Sequence, residues 1–318
     1  MKRFIEQYRK GARRPCRSSA RAVVILWIAV SLLCFCDASR ADALDPADKV
    51  PGHPGVTYFD LVRQIVRDLD SLPAPGQTAA APTAHDIVPY RHIEGADAKT
   101  DPSGPVAIQL LTALTIHADG KSQLALMIDL GPSDGAVAEF TLLGLFDTGG
   151  KSMGPPKLLD VVEVGTDRLT GFVDKPMPLR QSPQKASDLF VIDSDHFNSN
   201  EDFVGTEFLF VRDGRFRLAG SVFTFDAHLC TSRRTQTPSV TTRPYAGSPY
   251  RRIHLAVREK VTLEPDRAGC GDEKTPRSLV RIYHGAYRWN ARQGKFVFAS
   301  GDLKKLDREN EKLMSGDN

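Results

Sequence analysis

Cysteine and histidine, which supply most zinc ligands and redox centres, are sparse in this 318-residue sequence. Three of the five cysteines fall within the first 36 residues, which leaves Cys230 and Cys270, 40 positions apart. They do not form the Cys-x-x-Cys motif of redox-active pairs, and two cysteines alone make a poor zinc site. None of the eight histidines is paired at a spacing such as His-x-x-x-His. We expect one structural disulfide between Cys230 and Cys270 in an oxidising compartment.

The apolar run at residues 22–36 is too short to cross a bilayer as a straight helix. Its fifteen residues reach roughly 22 Å at 1.5 Å per residue, whereas a hydrocarbon core is about 30 Å thick. Eight lysines and arginines precede it, and small residues fill four of the positions 38–43. This order is typical of a secretory signal peptide. We predict a signal peptide over residues 1–43, cleaved after Ala41 or Ala43, with an inner-membrane anchor through residues 22–36 as the alternative.

The predicted mature chain has no excess of positive charge. The full sequence has 42 basic and 39 acidic side chains, a net charge of +3, and residues 1–41 hold nine of the basic and two of the acidic ones. Without this segment, 33 basic and 37 acidic side chains give a net charge of −4. Because nucleic-acid binding needs a persistent positive surface, the composition argues against a nucleic-acid partner.

The remaining sequence divides into four segments. Residues 44–72 contain an amphipathic helix pattern from Gly55 to Leu72, with Thr57 as a candidate cap. Residues 73–86 are rich in proline, alanine and threonine, which is typical of a linker. We predict a β domain over residues 87–300 and a short C-terminal helix and tail over residues 301–318.

Turn signals and alternation predict a mainly β fold. Asp119-Gly120, Asp213-Gly214 and Gln293-Gly294 separate apolar runs and are typical of tight hairpins. From Ile253 to Leu263 apolar and polar residues alternate, except that Glu259 falls on the apolar side. Consecutive hairpins imply antiparallel sheets, arranged as a sandwich or as a small propeller-like domain.

An oxygen-rich segment at residues 193–202 is the first candidate site. Oxygen side chains this close together suit Ca²⁺, but they are also typical of an ordinary hairpin turn. Phe203 and Leu209 occupy positions where a calcium loop of the EF-hand type needs Gly and Glu. A hydrolase would use Asp193, Asp195 and His196 as acid and base. The candidate calcium ligands are Asp195, Asn198, Asn200 and Asp202.

A carboxylate-free segment from Ala227 to Arg258 is the second candidate site. Arginine with interleaved tyrosine can hold phosphate, sulfate or carboxylate groups. The alternative is a long, solvated loop whose arginines pair with the acidic remainder of the domain. The segment contains Arg233, Arg234, Arg243, Arg251, Arg252 and Arg258 beside Tyr245 and Tyr250.

The sequence predicts an exported, periplasmic or extracellular, non-enzymatic module that binds an envelope component or a protein partner. It has no membrane contact after signal cleavage and no cofactor other than the candidate calcium ion. The first alternative is a secreted hydrolase, supported by calcium, that uses residues 193–202. The second is a structural accessory subunit without a ligand. The candidate binding residues are Asn198, Asn200, Arg233, Arg234, Tyr245 and Tyr250.

Overall fold

A computed structural model describes residues 43–67, 87–93, 106–132, 140–149, 154–165, 169–197, 201–229, 231–264 and 277–315. The predicted signal peptide lies almost entirely outside these residues, as do Cys230 and Cys270. Asn198 and Asn200 also lie outside them. The leader, the disulfide and the full set of calcium ligands therefore stay predictions.

Antiparallel strands make up most of the described chain, with one short helix near each end. This confirms the mainly β fold class with a short N-terminal and a short C-terminal helix. The helices are α1 (Tyr58–Ile65) and α2 (Leu303–Ser315). The strands are β1 (Lys49–Val50), β2 (His53–Thr57), β3 (Arg91–His92), β4 (Val106–Ala118), β5 (Lys121–Pro132), β6 (Phe140–Asp147), β7 (Lys157–Gly165), β8 (Leu169–Pro178), β9 (Asp188–Phe197), β10 (Glu201–Arg212), β11 (Arg215–His228), β12 (Ser232–Arg243), β13 (Arg252–Leu263), β14 (Leu279–Asn290) and β15 (Lys295–Gly301).

Tight turns join strands where the sequence predicts them. Asp119-Gly120 connects β4 to β5 with φ angles of 51° and 81°, and Asp213-Gly214 connects β10 to β11 with 53° and 67°. Positive φ at both central residues is the signature of the type I′ hairpin turn, whose twist matches that of the flanking strands. Gly294, with φ 63°, lies in the connection from β14 to β15.

Two sheets pack face to face in a sandwich-like arrangement. The eight-stranded sheet runs from β8 to β15 in sequence order, because each strand folds back on the one before it. The five-stranded sheet has the order β3-β7-β6-β5-β4, and its β3 runs parallel to β7. One apolar cluster joins the sheets, with Met127 and Leu145 from the five-stranded sheet and Phe190, Leu209 and Phe216 from β9–β11. Among the described residues, the larger sheet contributes to this cluster through β8–β11 and not through β12–β15.

Helix α1 packs its apolar side into a second cluster that includes residues of the five-stranded sheet. Thr57 caps it as predicted, since the Thr57 hydroxyl accepts from the Asp60 backbone and the Asp60 carboxylate accepts from the Thr57 backbone. The helix is shorter than the predicted span of residues 55–72. It ends at Ile65 because Val66 is extended and forms a β-bridge with Ile87.

Helix α2 covers part of one face of β12–β15. We call this the inward face and the opposite face of these strands the outward face. Leu303 and Leu306 are buried there in a third cluster with Ile253, Leu255 and Val257 of β13. Gly285 permits this close approach, because a Cβ at that position would lie 2.2 Å from Leu303 Cδ1.

The segment for which a long solvated loop was one interpretation is largely a strand, so the loop assignment was wrong. The expected pairing of its arginines with carboxylates is found for Arg233, with Asp226, and for Arg234, with Glu259. Ser232–Arg243 forms β12 and pairs with β13 along its whole length. Its partner on the other side, β11, reaches only Arg233–Thr235. The rest of β12 is therefore an edge that tolerates Pro238, whose missing N–H would weaken a central strand. Its exposed, Ser/Thr-rich composition made the strand resemble a loop.

Candidate functional site

The outward face of β12–β14 carries the candidate site. In β13, Ile253 and Leu255 point into the apolar interior, so alternation turns Arg252 and His254 toward solvent. Antiparallel pairing then sets their neighbours: Arg243 of β12 pairs with Arg252, and Thr241 pairs with His254. The pairing of β13 with β14 places His284 opposite Ala256 on the same face.

A cleft of about 510 Å³ opens among these residues, and we call it the cationic cleft. Arg243, Arg252, His254 and His284 line it together with hydroxyl groups from Ser239, Thr241 and Ser300. The space exists because the residues between them are small, namely Ala256, Gly285, Ala286 and Gly301. Gly301 has φ 128°, and a Cβ there would lie 2.0 Å from the His284 carbonyl oxygen.

The four basic side chains of the cationic cleft have no carboxylate partner among the described residues. Arg252 stacks on the Tyr245 ring, with its guanidinium carbon 4.2 Å from the ring centroid. Arg252 Nε is buried and donates to no described acceptor. Asp302 lies near the cleft, where its Oδ1 accepts the His284 backbone N–H at 2.6 Å. Within the described ranges, positive charge in the cleft is therefore left without a paired counter-charge.

Burial lowers the pKa of His254, and the positive charges of Arg243 and Arg252 lower it further. An anion in the cleft would reverse the second effect, because it would offset the repulsion among these cations. Guanidinium groups bind phosphate, sulfate and carboxylate through paired hydrogen bonds. Hydroxyl groups supply further donors. The arrangement suits reversible binding of an anionic group.

The predicted binding arginines have different surroundings. Arg233 donates from Nε to Asp226 at 2.9 Å on the exposed surface. Arg234 reaches the buried carboxylate of Glu259. Tyr245 contacts the cationic cleft through Arg252, whereas Tyr250 is buried and its hydroxyl accepts from Arg180. The binding roles predicted for these four residues stay untested.

His254 and His284 were not predicted as site residues, and Arg243 and Arg252 had no predicted role separate from the other arginines of their segment. One signal was available, because Arg252 and His254 alternate with buried residues in a clear strand pattern. The register that brings His284 beside them was not available from sequence.

The acidic segment is mostly strand rather than loop. Asp193, Asp195 and His196 belong to β9 and Asp202 belongs to β10, so only residues 198–200 connect the two strands. Asp193 pairs with Thr206, and Asp195 pairs with Val204. Within the described ranges, no group of three or more histidine, cysteine or carboxylate side chains could hold a metal ion. Asn198, Asn200 and the His196 side chain lie outside the description, so the calcium and hydrolase hypotheses stay predictions.

A second polar cluster lies between the inward sheet face and α2, centred on Glu259. This carboxylate is fully buried and pairs with Arg234 and Arg281. Burial alone would raise the pKa of Glu259, but the hydrogen bond from Gln236 and the two guanidinium charges outweigh it and lower the pKa.

The cluster extends to α2 through two of that helix's residues. Glu309 accepts from the Tyr283 hydroxyl at 2.7 Å and from Arg281 Nη1 at 3.0 Å. Asn310 accepts from Gln236 Nε2 at 2.8 Å and donates to the Phe223 carbonyl at 3.1 Å. These contacts attach α2 to the sheet, and they explain why Glu259 breaks the apolar pattern of β13.

No helix among the described residues has the length and apolar character needed to span a bilayer. Comparison of the chain with protein-family models, with curated proteins and with solved structures gives no match.

Proposed function

We propose that this protein is an exported, non-enzymatic binding module whose cationic cleft holds an anionic group of an envelope component. The observation that carries the proposal is the cleft itself, where Arg243, Arg252, His254 and His284 meet without a described carboxylate partner. The guanidinium groups of Arg243 and Arg252 have no counter-charge among the described residues, and a bound anion would supply one.

The volume of the cleft supports a ligand larger than a simple ion. Ligand sites commonly enclose about 300–1,000 Å³, and the 510 Å³ here lies within that range. The anionic group would contact the arginines, and the unit that carries it would lie against the small residues and the hydroxyl groups. This fits an acidic sugar or polyol.

Export is supported by the order of the N-terminal residues, a basic start followed by a short apolar run and small residues.

The net charge of the chain after residue 41 bears on how the cleft would select a ligand, because that part has no excess of positive charge. A cationic cleft on a net acidic chain favours a local, shape-dependent contact over non-specific attraction to polyanions.

Calorimetric titration of the purified protein with a heparin tetrasaccharide tests the proposal. We expect Arg252→Gln to weaken binding about 10- to 100-fold, since a charge-assisted hydrogen bond contributes about 1.5–3 kcal/mol. The matched control is Arg215→Gln, an equally charged, exposed residue on β11 away from the cleft. Chitotetraose, an uncharged tetrasaccharide, should not bind. Equal affinity of the Arg252 and Arg215 variants would contradict the proposal.

A further inference from the structure

Positive charge on the outward face of β12–β14 continues beyond the cationic cleft. Arg258 and Lys260 follow Arg252 and His254 along β13, and both are exposed. Neither has a described ion-pair partner. The outward positions of three strand segments contain no carboxylate in the part of the chain that the structure describes. These segments are residues 237–243 of β12, residues 252–260 of β13 and the whole of β14.

The geometry of this face is linear. Outward side chains on one strand are about 6.8 Å apart, so the face from Arg252 to Lys260 extends roughly 27 Å along β13. It carries positive charge at both ends, with the small residue Ala256 between them. A single small anion cannot contact both ends at once.

Exposed apolar side chains border the far end of the face. Val280 and Ile282 of β14 pair with Lys260 and Arg258, and they are 56% and 51% exposed. Apolar contacts beside cations suit a ligand whose charged groups are separated by less polar units, such as sugar rings. Successive bases of a single-stranded nucleic acid would instead need large aromatic side chains for stacking, and the outward positions of β13 hold no phenylalanine, tyrosine or tryptophan.

We propose that the face from Arg243 to Lys260 binds an extended acidic polysaccharide, with one anionic group in the cationic cleft and further groups over Arg258 and Lys260. This inference rests on the proposed function and adds the length and class of the ligand. Multiple contacts along one chain raise affinity beyond that of a single unit.

Heparin oligosaccharides of two lengths test this proposal. We expect the wild-type protein to bind a dodecasaccharide at least tenfold more tightly than a tetrasaccharide. In the double variant Arg258→Gln/Lys260→Gln, dodecasaccharide affinity should fall about tenfold and its salt dependence should weaken, while tetrasaccharide affinity stays the same. The matched control is Arg215→Gln/Arg217→Gln, which removes two exposed charges at the same two-residue spacing on β11.

The outcomes separate this inference from the proposed function. If the double variant keeps wild-type affinity for the dodecasaccharide while Arg252→Gln loses affinity for both lengths, the extended contact is wrong and the cleft remains. If the wild-type protein binds neither oligosaccharide, the proposed function itself fails. A single-stranded oligonucleotide of equal charge that binds as tightly as the dodecasaccharide would overturn the choice of polysaccharide.

Discussion

Glu163 and Glu259 are both buried carboxylates, yet their surroundings shift their pKa values in opposite directions. Glu163 lies in β7 with 1% exposure, and its Oε2 accepts no hydrogen bond from a described residue. Burial raises the pKa of Glu163 to about 7. Glu259 is equally buried, but its hydrogen bonds and the arginine charges lower its pKa. The partners of each carboxylate therefore decide the direction of the shift.

Glu163→Gln should stabilise the protein at pH 8 and have little effect at pH 4.5. The folded state keeps a proton on Glu163 up to about pH 7, whereas an unfolded glutamate loses it near pH 4.3. Stability therefore falls as the pH rises through this range, at about 1.4 kcal/mol per pH unit. Urea unfolding at both pH values should show a gain of roughly 3 kcal/mol at pH 8. Glu311→Gln, an exposed change on α2, is the control, and an equal gain at pH 4.5 would contradict the explanation.

His254 should make anion binding depend on pH. In the described part of the chain, the strand register also places His284 and Arg288 of β14 on the same face as His254, beside Arg243 and Arg252. A bound anion raises the pKa of His254, so binding takes up a proton and strengthens as the pH falls. We expect tetrasaccharide affinity to rise severalfold between pH 8 and 5.5, with about tenfold as the limit for a pKa change of one unit. His254→Gln should reduce this rise and His228→Gln should not. An unchanged pH profile in the His254 variant would exclude this role.

The attachment of α2 depends on Glu259. Glu259→Gln leaves Arg234 and Arg281 without their buried counter-charge, so we expect a loss of about 3–5 kcal/mol in the free energy of unfolding at pH 7. The lowered pKa of Glu259 means that its contribution is present above about pH 4.3 and disappears as the pH falls further. Urea unfolding should therefore show a smaller difference at pH 3. Glu311→Gln, on the exposed side of α2, is the control, and a loss below 1 kcal/mol at pH 7 would contradict the structural role.

The local sequence pattern predicted where the strands lie better than it predicted which residues their side chains contact. The alternation in β13 identified Glu259 as an exception, but its partners Arg281, Gln236 and Arg234 lie 22 to 25 positions away in sequence. The same limit explains β12, where a polar edge strand has few apolar residues to mark it. Turn chemistry at Asp119-Gly120 and Asp213-Gly214 is local, and it was predicted correctly.

The fold class was predictable from the sequence, whereas the arrangement of the site was not. Because consecutive strands are joined as hairpins, the strands of the larger sheet lie side by side in sequence order. The mainly β fold therefore follows from local signals. The cationic cleft instead needs the register of three strands, which places His284 beside residues some 30 positions earlier. The five-stranded sheet packs against β8–β11 and leaves the outward face of β12–β14 to solvent. This exposed face holds the candidate site.

Gly301, which lines the cationic cleft, is followed at once by Asp302 and then by α2. Asp302 holds the backbone of His284 from both sides, accepting its N–H at 2.6 Å and donating to its carbonyl at 2.8 Å. The cationic cleft and α2 are thus joined by the same short stretch of main chain, Gly301-Asp302. A ligand that binds more tightly when α2 is docked must also stabilise the docked helix against local opening. By thermodynamic reciprocity, the free energy of this stabilisation equals the binding free energy gained from docking.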